Sequence, residues 1–506
     1  MSFEKALQNI TSNAALIKPA MLKNVDAAIG KAVRIRGDFP SSLKLQERLG
    51  NTVKESNLTV DQLAGYVLEE PFLTLRLLSI VNHDFYSDGR SFSSVHAAVE
   101  HLGLRQTPQI LKDLAAARNY SAIFLGRSIA LTRMQQALIA SLLSSGIIGL
   151  MTRRTELRER TVIASYLINA GPVLLAYYKP HIYSGISLDC FNEKNIFSKK
   201  FMEVMKRSES DLAEYLTEIL GLPRELSQIV GYVEGVPWKR KNWGFGNTKE
   251  KRAIVYAVYM GNILAHEICN FPGVQGLQAL LREFEKNTTL SEPDLEALIG
   301  KLAGKYLERC KDLGLTALRV PDYLDWFKRS LKGKSEQVEW PGIAERINPF
   351  MYELRACFKT RRREDDFYRL PQAVNCTLHA LVQGLNFDRA VLFVRHPKKK
   401  VLEIKASLGV KLFSPEKVKR FIEDPDADSM PDIKAVVNRQ TVFDGLQIFD
   451  DGWPFVAFPI IFRGEVLGVF YADKAKRPDS TALNAQEQVT CMALAEEWQD
   501  ISPDFA

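Results

Sequence analysis

Apolar positions recur at helical spacing through the first two thirds of the chain and at strand spacing near its end. Leu63, Tyr66 and Val67 share one helical face, behind a capping-box pattern of Thr59 and Gln62. Glu70-Pro71 opens a second helix with proline at a tolerated first-turn position, and Phe72, Leu75, Leu78 and Ser79 line one side of it. Ser94 is placed to cap a third. Val95, Ala98, Val99 and Leu102 give its i, i+3, i+4, i+7 stripe, and Gly103 is placed to end it. The spacing predicts further helices over Leu131–Met151, Thr161–Tyr178, Ser208–Leu220, Lys251–Cys269 and Ser291–Leu313, the last capped by Ser291 and stopped by Gly314. No fixed-period repeat runs through them, so a solenoid is excluded.

The pattern changes after Ser330–Gly342 (SLKGKSEQVEWPG), a polar stretch that reads as a linker. Helical spacing resumes at Ile343–Lys359, and Arg361-Arg362-Arg363 then meets Glu364-Asp365-Asp366. Phe367–Leu385 reads as an amphipathic helix, Ala390–Val394 as a short apolar run, and His396–Lys400 as a turn. Val401–Ala406 alternates as a half-buried strand does. Phe455–Phe462 and Glu465–Tyr471 flank Arg463-Gly464 as a β-hairpin, and Asn484–Ile501 closes as a helix. The expected fold is multidomain, an all-α N-terminal region followed by an α+β domain with an antiparallel sheet. The expected boundaries are a helical extension over 1–38, a helical domain with its own extension over 39–329, a linker and connecting helix over 330–364, and the sheet domain over 365–506.

Composition narrows the class. Of 506 residues, 46% are hydrophobic and 25% charged, which excludes wholesale disorder, a collagen-like repeat and a disulfide scaffold. The 67 basic and 60 acidic side chains leave a net charge of +7, mild for this length. Six cysteines form no CxxC unit, so a zinc ribbon or a thioredoxin-type site has no support, and scattered thiols suit a reducing cytosol. The opening MSFEKALQNITSNAALIKPAM carries polar residues where a signal peptide needs an apolar run. The longest apolar stretch, Ala137–Met151, is broken by Ser141, Ser144 and Ser145. The expectation is a cytoplasmic chain with no membrane partner.

Motifs for chemistry are sparse. None of the seven histidines pairs with another at i, i+4; His266-Glu267 begins a metalloprotease pattern, but Asn270 stands where the second histidine would be. His83-Asp84 reads as a helix-end pair before the Ser87-Asp88-Gly89 turn. No GxSxG or Walker-type loop occurs, and Gly244-Phe245-Gly246 lacks a third glycine and a preceding strand. Arg153, Arg154, Arg158 and Arg160, interleaved with Glu156 and Glu159, read as a solvated helix end or loop. Trp238-Lys239-Arg240-Lys241-Asn242-Trp243 mixes cations with aromatics, which can suit phosphate contact plus base stacking; its ordinary reading is an exposed inter-helix loop whose tryptophans pack against neighbouring helices.

The order and spacing of Phe39-Pro40-Ser41, Thr59–Leu63, Glu70-Pro71-Phe72-Leu73, Arg76-Leu77-Leu78, Val81-Asn82, Phe85-Tyr86 and Val95 through Gly103-Leu104 resemble the HDOD domain, a helical relative of the HD phosphohydrolases. The resemblance covers roughly Asp38–Glu234. HD enzymes carry central metal ligands in a His-Asp-Ile-Gly element on a helix, which Ser165–Gly171 matches in position. Ile168 stands where the histidine would be and Asn169 where the aspartate would be, while Gly171 remains, suited to close helix packing. Gly221-Leu222-Pro223 is present, but Tyr232 is followed by Val233-Glu234 where many HDOD sequences have His-His. The resemblance therefore implies a degenerate metal site at Ile168 and Asn169, with no metal, no cofactor and no catalytic residue.

Over roughly Asp365–Ile501, the helix before Leu385–Ala390, the strand Val391–Val394 and the late hairpin (Phe458-Pro459-Ile460-Ile461, Gly464–Val469) resemble a GAF domain. The signature of cyclic-nucleotide-binding members is not found, and no cysteine is placed for a bilin. Pro425–Gln447 is placed to cover a pocket, with Glu423, Asp424, Asp426 and Asp428 at its start as a solvated loop. Together the resemblances imply a non-catalytic bacterial-type signal-transduction protein. An HDOD output or interaction scaffold would be coupled through Ser330–Arg363 to a GAF sensor or dimerisation domain. A signalling protein, a small ligand at the GAF-like domain and a second copy are the implied partners; nucleic acid is not expected. Two alternatives stay open: a divergent metal-dependent phosphohydrolase using His83, Asp84 and His181, and a nucleotide or nucleic-acid binder acting through Trp238, Lys239, Arg240, Lys241 and Trp243.

Overall fold

A computed structural model describes residues 3–10, 29–30, 51, 58–116, 128–189, 197–241, 243, 249–270, 274–315, 348–359, 366–409, 418–422, 429–449, 452–475, 480–499 and 501. The entry motif Phe39-Pro40-Ser41, the linker Ser330–Gly342, the charged junction at 361–365 and the acids Glu423, Asp424, Asp426 and Asp428 lie outside the described residues.

The helical half begins with α1 (Phe3–Gln8), α2 (Val60–Leu68), α3 (Pro71–Val81), the single turn α4 (Asp84–Ser87) and α5 (Val95–Ala116). Local chemistry sets their ends as the sequence indicates. Thr59 Oγ1 accepts from the Gln62 amide at 3.2 Å while Gln62 Oε1 accepts from the Thr59 amide at 2.9 Å. The Glu70 carboxylate caps α3 on the Leu73 amide, with Pro71 in the first turn. Gly103 ends the regular stripe without ending the helical run: α5 kinks there, at φ +80°, and continues past it. Only glycine adopts that backbone conformation readily.

One expectation is overturned at this point. Glu159 is no solvated residue: it is buried, and its carboxylate accepts from Ser94 Oγ at 2.6 Å and from the His96 amide at 3.2 Å. A negative charge at a helix N-terminus satisfies donors that the helix itself leaves open. Arg160 beside it pairs with Glu156 at 2.6 Å and Glu225 at 3.1 Å.

Two long apolar helices form the centre, α6 (Ser128–Met151) and α7 (Thr155–Tyr178). Both are long and apolar enough to cross a membrane by length and composition, and both are mostly buried inside this half. Around them lie α8 (Pro180–Asp189), α9 (Phe197–Met205), α10 (Glu209–Ile219), α11 (Arg224–Gly231), α12 (Lys249–Asn270), α13 (Val274–Asn287) and α14 (Glu292–Leu313), the last capped by Ser291 and stopped by left-handed Gly314 as its sequence indicates. Small residues set the closest approaches. A Cβ at Gly171 would sit 2.5 Å from Leu212 Cδ2 of α10, so the retained glycine does serve helix packing. A Cβ at Gly261 of α12 would sit 2.8 Å from the Ser144 backbone nitrogen of α6.

The C-terminal half opens with α15 (Pro349–Lys359) and α16 (Asp366–His379), which runs into a π-helical turn at Ala380–Gly384. Strands β1 (Arg389–Arg395), β2 (Val401–Gly409), β3 (Lys419–Phe421), β4 (Gly452–Phe462) and β5 (Glu465–Ala475) form one antiparallel sheet in the order β3-β2-β1-β5-β4. Helix α17 (Pro431–Asn438) lies in the connection from β3 at one edge to β4 at the other, and α18 (Ala485–Gln499) ends the described fold. Arg463 and Gly464 both take positive φ, 50° and 78°, the geometry of a two-residue hairpin turn.

Side chains of the central strands alternate between two apolar clusters, as the period of two requires. Ala390, Leu392 and Val394 face a core shared with the helices, whereas Val391 and Phe393 face a second cluster under α17. The first cluster is continuous from the helical half through α15, α16 and α18 to the sheet. Polar and aromatic contacts fix this junction. Glu353 of α15 is buried and accepts from the Ile129 amide at the start of α6, 3.2 Å, and from Gln372 Nε2, 2.5 Å. Asn375 Nδ2 of α16 donates to Ser184 Oγ of α8 at 3.4 Å. Helix α1, first in the chain, lies on the sheet: Phe3 stacks on Phe462 at 4.7 Å between ring centres, and Gln8 donates to the Arg395 carbonyl.

Candidate functional site

Ile168 and Asn169 lie two thirds of the way along α7, both buried. Asn169 Nδ2 donates to the Ser165 carbonyl at 2.8 Å and to Asn262 Oδ1 of α12 at 2.6 Å; Asn262 Nδ2 donates to the Val258 carbonyl at 2.8 Å. The two amides clasp α7 to α12.

A cavity of about 330 Å³ opens beside this clasp. Arg133 and Gln136 of α6, Ile168 of α7 and the stripe Tyr259, Asn262, Ile263 and His266 of α12 form its inner walls. Phe197, Lys199 and Met202 of α9, Ser208–Ser210 at the start of α10 and Val233–Val236 after α11 form the outer ones. The most buried charge in the wall is Arg133, 5% exposed. One end of its guanidinium donates to Glu209 Oε1 at 3.1 Å, its plane sits 5.4 Å from the Phe197 ring centre, and its Nε has no hydrogen-bond partner. Burial raises the Tyr259 hydroxyl above its ordinary pKa, with Glu283 adding to the effect, so the phenol stays neutral.

The resemblance to the HD enzymes would imply a divalent cation at this place, and the residues present do not fit one. Ile168 offers no donor atom, and Asn262 Oδ1 already accepts from Asn169. Glu209 is engaged by Arg133, and that buried guanidinium repels a second cation. Among the described residues, no three His, Cys, Asp or Glu side chains come together in a way that could hold a metal ion.

The remaining sequence candidates separate in space. His83 caps the one-turn helix α4 and is exposed, with its Nδ1 3.5 Å from the Phe85 amide; the side chain of Asp84 lies outside the described residues. His181 is on α8 and does not line the cavity, whereas Glu234 does. Trp238 packs edge-on against Tyr259 at 5.4 Å and Phe284 at 5.9 Å. Trp243 stacks on Tyr232 at 5.6 Å, and Arg240 lies over Tyr232 at 4.7 Å while donating to the Glu234 carbonyl at 2.6 Å. These part-buried rings pack against neighbouring aromatics, Trp238 on Tyr259 of the cavity wall. Lys239 and Lys241 are exposed, and Asn242 lies outside the described residues.

Among the described residues, one face of the sheet carries a second apolar cluster. Val391, Phe393, Ile433, Val436, Phe455 and Tyr471 pack together there, under α17. Beside them Arg389 forms a two-point pair with Asp473 (2.8 and 2.7 Å), Tyr471 donates to Asp473 at 2.9 Å, and Phe449 lies 4.0 Å from the guanidinium. Arg420 likewise grips buried Asp432 at 3.0 and 3.3 Å, tying edge strand β3 to α17.

Arg133, Glu209, Tyr259 and Asn262 are missed by motif reading, and His266 is met only as part of a broken metalloprotease pattern. A signal existed for two groups of them. Arg133 is the sole charged residue of the 24-residue helix α6, and Tyr259, Asn262, Ile263 and His266 fall at i, i+3, i+4, i+7.

Comparison with known proteins places a family on the helical half: residues 39–236 match the HDOD domain. Helices α12–α14 lie beyond that match. No curated protein matches the chain. Among solved structures, the MmoQ response regulator of Methylococcus capsulatus is 16% identical, with 51% of this chain and 96% of that one covered and a TM-score of 0.37. A virulence factor of Campylobacter jejuni is 15% identical, with 56% and 100% covered and a TM-score of 0.40. The GAF domain of an Acinetobacter phosphoenolpyruvate-protein phosphotransferase is 11% identical, with 30% and 89% covered and a TM-score of 0.23.

Proposed function

We propose that this HDOD-containing chain is a non-catalytic regulatory protein of a signalling pathway. In this reading the helical half is an output or interaction scaffold, and the sheet half is a GAF-like module that biases it. The observation that carries the reading is the replacement of a ligand pair by Ile168 and by an asparagine committed to Asn262, beside a buried arginine. A hydrolytic metal centre needs several fixed donors around an open position. Here the two matched positions hold a hydrocarbon and an amide committed to α12, and a buried positive charge lines the same cavity.

Coupling between the halves is supported by their shared core and by the Glu353, Gln372 and Asn375 contacts. A partner that binds one arrangement of the halves better than another shifts the population toward it. The sheet order, with its crossover helix, supports the GAF resemblance, and with it a sensor or dimerisation role for this half.

The test is turnover. The purified full chain is incubated with bis(p-nitrophenyl) phosphate and with cyclic dinucleotides, in manganese or ferrous iron and again in EDTA. The reading expects no product above the protein-free rate in either condition. Hydrolysis that EDTA abolishes would replace it with the divergent phosphohydrolase.

A further inference from the structure

We infer that the end of the helical half where α7, α11 and α12 begin is a docking surface for an acidic protein segment that carries an apolar anchor. It rests on the reading of this half as an interaction scaffold and names the chemistry of the partner.

The basic excess of the chain is concentrated there. Residues 153–160 and 224–252 hold eleven basic and five acidic side chains, an excess of six within a net charge of +7 for the whole chain. Contacts tie these segments into one surface. Arg154 pairs with Glu250 at the start of α12, Arg160 pairs with Glu225 at the start of α11 at 3.1 Å, and Lys251 lies 4.0 Å from the same Glu225. Arg240 and Arg252 both lie over the Trp243 ring, at 5.9 and 5.1 Å. The acids do not offset the excess outward. Glu156, Glu225 and Glu250 are engaged by Arg154, Arg160 and Lys251, Glu159 is buried on Ser94 and His96, and Glu234 lines the cavity. Arg153, Arg158, Arg224, Lys239, Lys241 and Lys249 are exposed and have no acid partner among the described residues. Like charge gathered on one face is complemented by a partner of opposite sign, which it also steers toward itself.

Two features favour a protein segment over nucleic acid. Trp238 and Trp243 are already engaged with Tyr259, Phe284 and Tyr232, which removes the stacking platform that bases would use. Leu150, in the last turn of α6, is exposed beside the arginines. The Arg158 guanidinium lies against neighbouring Gly149, where a Cβ would meet it at 3.2 Å, and Arg153 and Arg154 follow directly after α6. An apolar side chain among arginine forks suits carboxylates flanking an apolar residue and offers a phosphate backbone nothing.

The experiment uses the full chain and fluorescein-labelled probes of equal formal charge: a glutamate-rich peptide with leucine at every fourth position, polyglutamate, and single-stranded and duplex DNA. Binding is read by fluorescence anisotropy. The proposal expects the leucine-containing peptide to bind at least tenfold more tightly than either DNA, and to weaken as salt is raised. Arg153→Glu with Arg158→Glu should weaken it at least tenfold. Lys398→Glu with Lys399→Glu, an equal change of charge in the β1–β2 turn, should leave binding as it was. Leu150→Ser should weaken the leucine-containing peptide at least threefold and polyglutamate not at all. DNA bound as tightly as the peptide, no binding of any probe, equal effects of the two charge reversals, or a Leu150→Ser variant indistinguishable from the parent would each overturn the proposal. No arm measures turnover, so hydrolysis found separately would sink the scaffold reading, whereas failure here would leave that reading standing.

Discussion

At the scale of single residues, two amides and two titrating groups carry most of the account. Asn169 and Asn262 satisfy each other inside the helical half. Asn169→Leu strands the partner amide and should cost about 1–3 kcal/mol, whereas the double change Asn169→Leu with Asn262→Leu should recover most of it, because both polar groups are then gone. Urea denaturation of the four proteins of the cycle measures this. Burial pushes the Glu353 carboxyl up to about 7, against the pull of hydrogen bonds from Gln372 and the start of α6. Burial also pulls His379, stacked 5.3 Å from Phe350, down to about 4. The signs oppose. Glu353, whose folded value is raised, contributes its stability below the unfolded carboxylate range and loses it as pH rises toward 7; His379, whose folded value is lowered, contributes above about 6.5 and loses it as pH falls toward 4. Between pH 4.5 and 6.5 the two nearly cancel, each on the order of 3 kcal/mol. Glu353→Gln should therefore uncover a melting temperature that climbs with pH across this window, and a flat profile identical to the parent would contradict it. Ile168 and Asn169 were legible as departures from a motif. The Asn262 partner was not, because it lies far along the chain and no local spacing links it to Asn169.

At the scale of elements, caps and stripes were read well because they are local. Thr59–Gln62, Ser291, Gly314 and the Arg463-Gly464 turn form as their sequences indicate. Gly103 was legible as a break but not as a kink, since the resumption of helix after it depends on what the next turns pack against. Glu159 was misread for a related reason: a carboxylate among arginines resembles a solvated face until Ser94 and His96 arrive from another helix. Helix crossings yield a direct test. At Gly261 an added methyl would meet the α6 backbone, which cannot swing aside as a side chain can. Gly261→Ala should cost about 1–3 kcal/mol or more by overpacking, and Gly304→Ala, with nothing within 4 Å of the added carbon, should be neutral or slightly stabilising. Equal effects of the two in thermal denaturation would count against the close crossing of α6 and α12.

At the scale of the whole molecule, the division of the chain into halves was legible from the change of period, while the joining of the halves was not. Helix α1, in the N-terminal extension, lies on the sheet, with Phe3 against Phe462, a placement no local pattern indicates. Truncating that buried ring, Phe3→Ala, should cost about 3 kcal/mol of docking. Amide exchange should rise in β1 and β4, with α7 unaffected; faster exchange throughout the chain, or in none of it, would contradict so local a strap. The central claim is that the cavity beside Ile168 has exchanged a metal for an amide clasp and a buried cation. Elemental analysis tests it most directly, on the full chain expressed with added manganese and iron and then desalted. The account predicts far less than one transition-metal ion per chain; one tightly held ion per chain would contradict it.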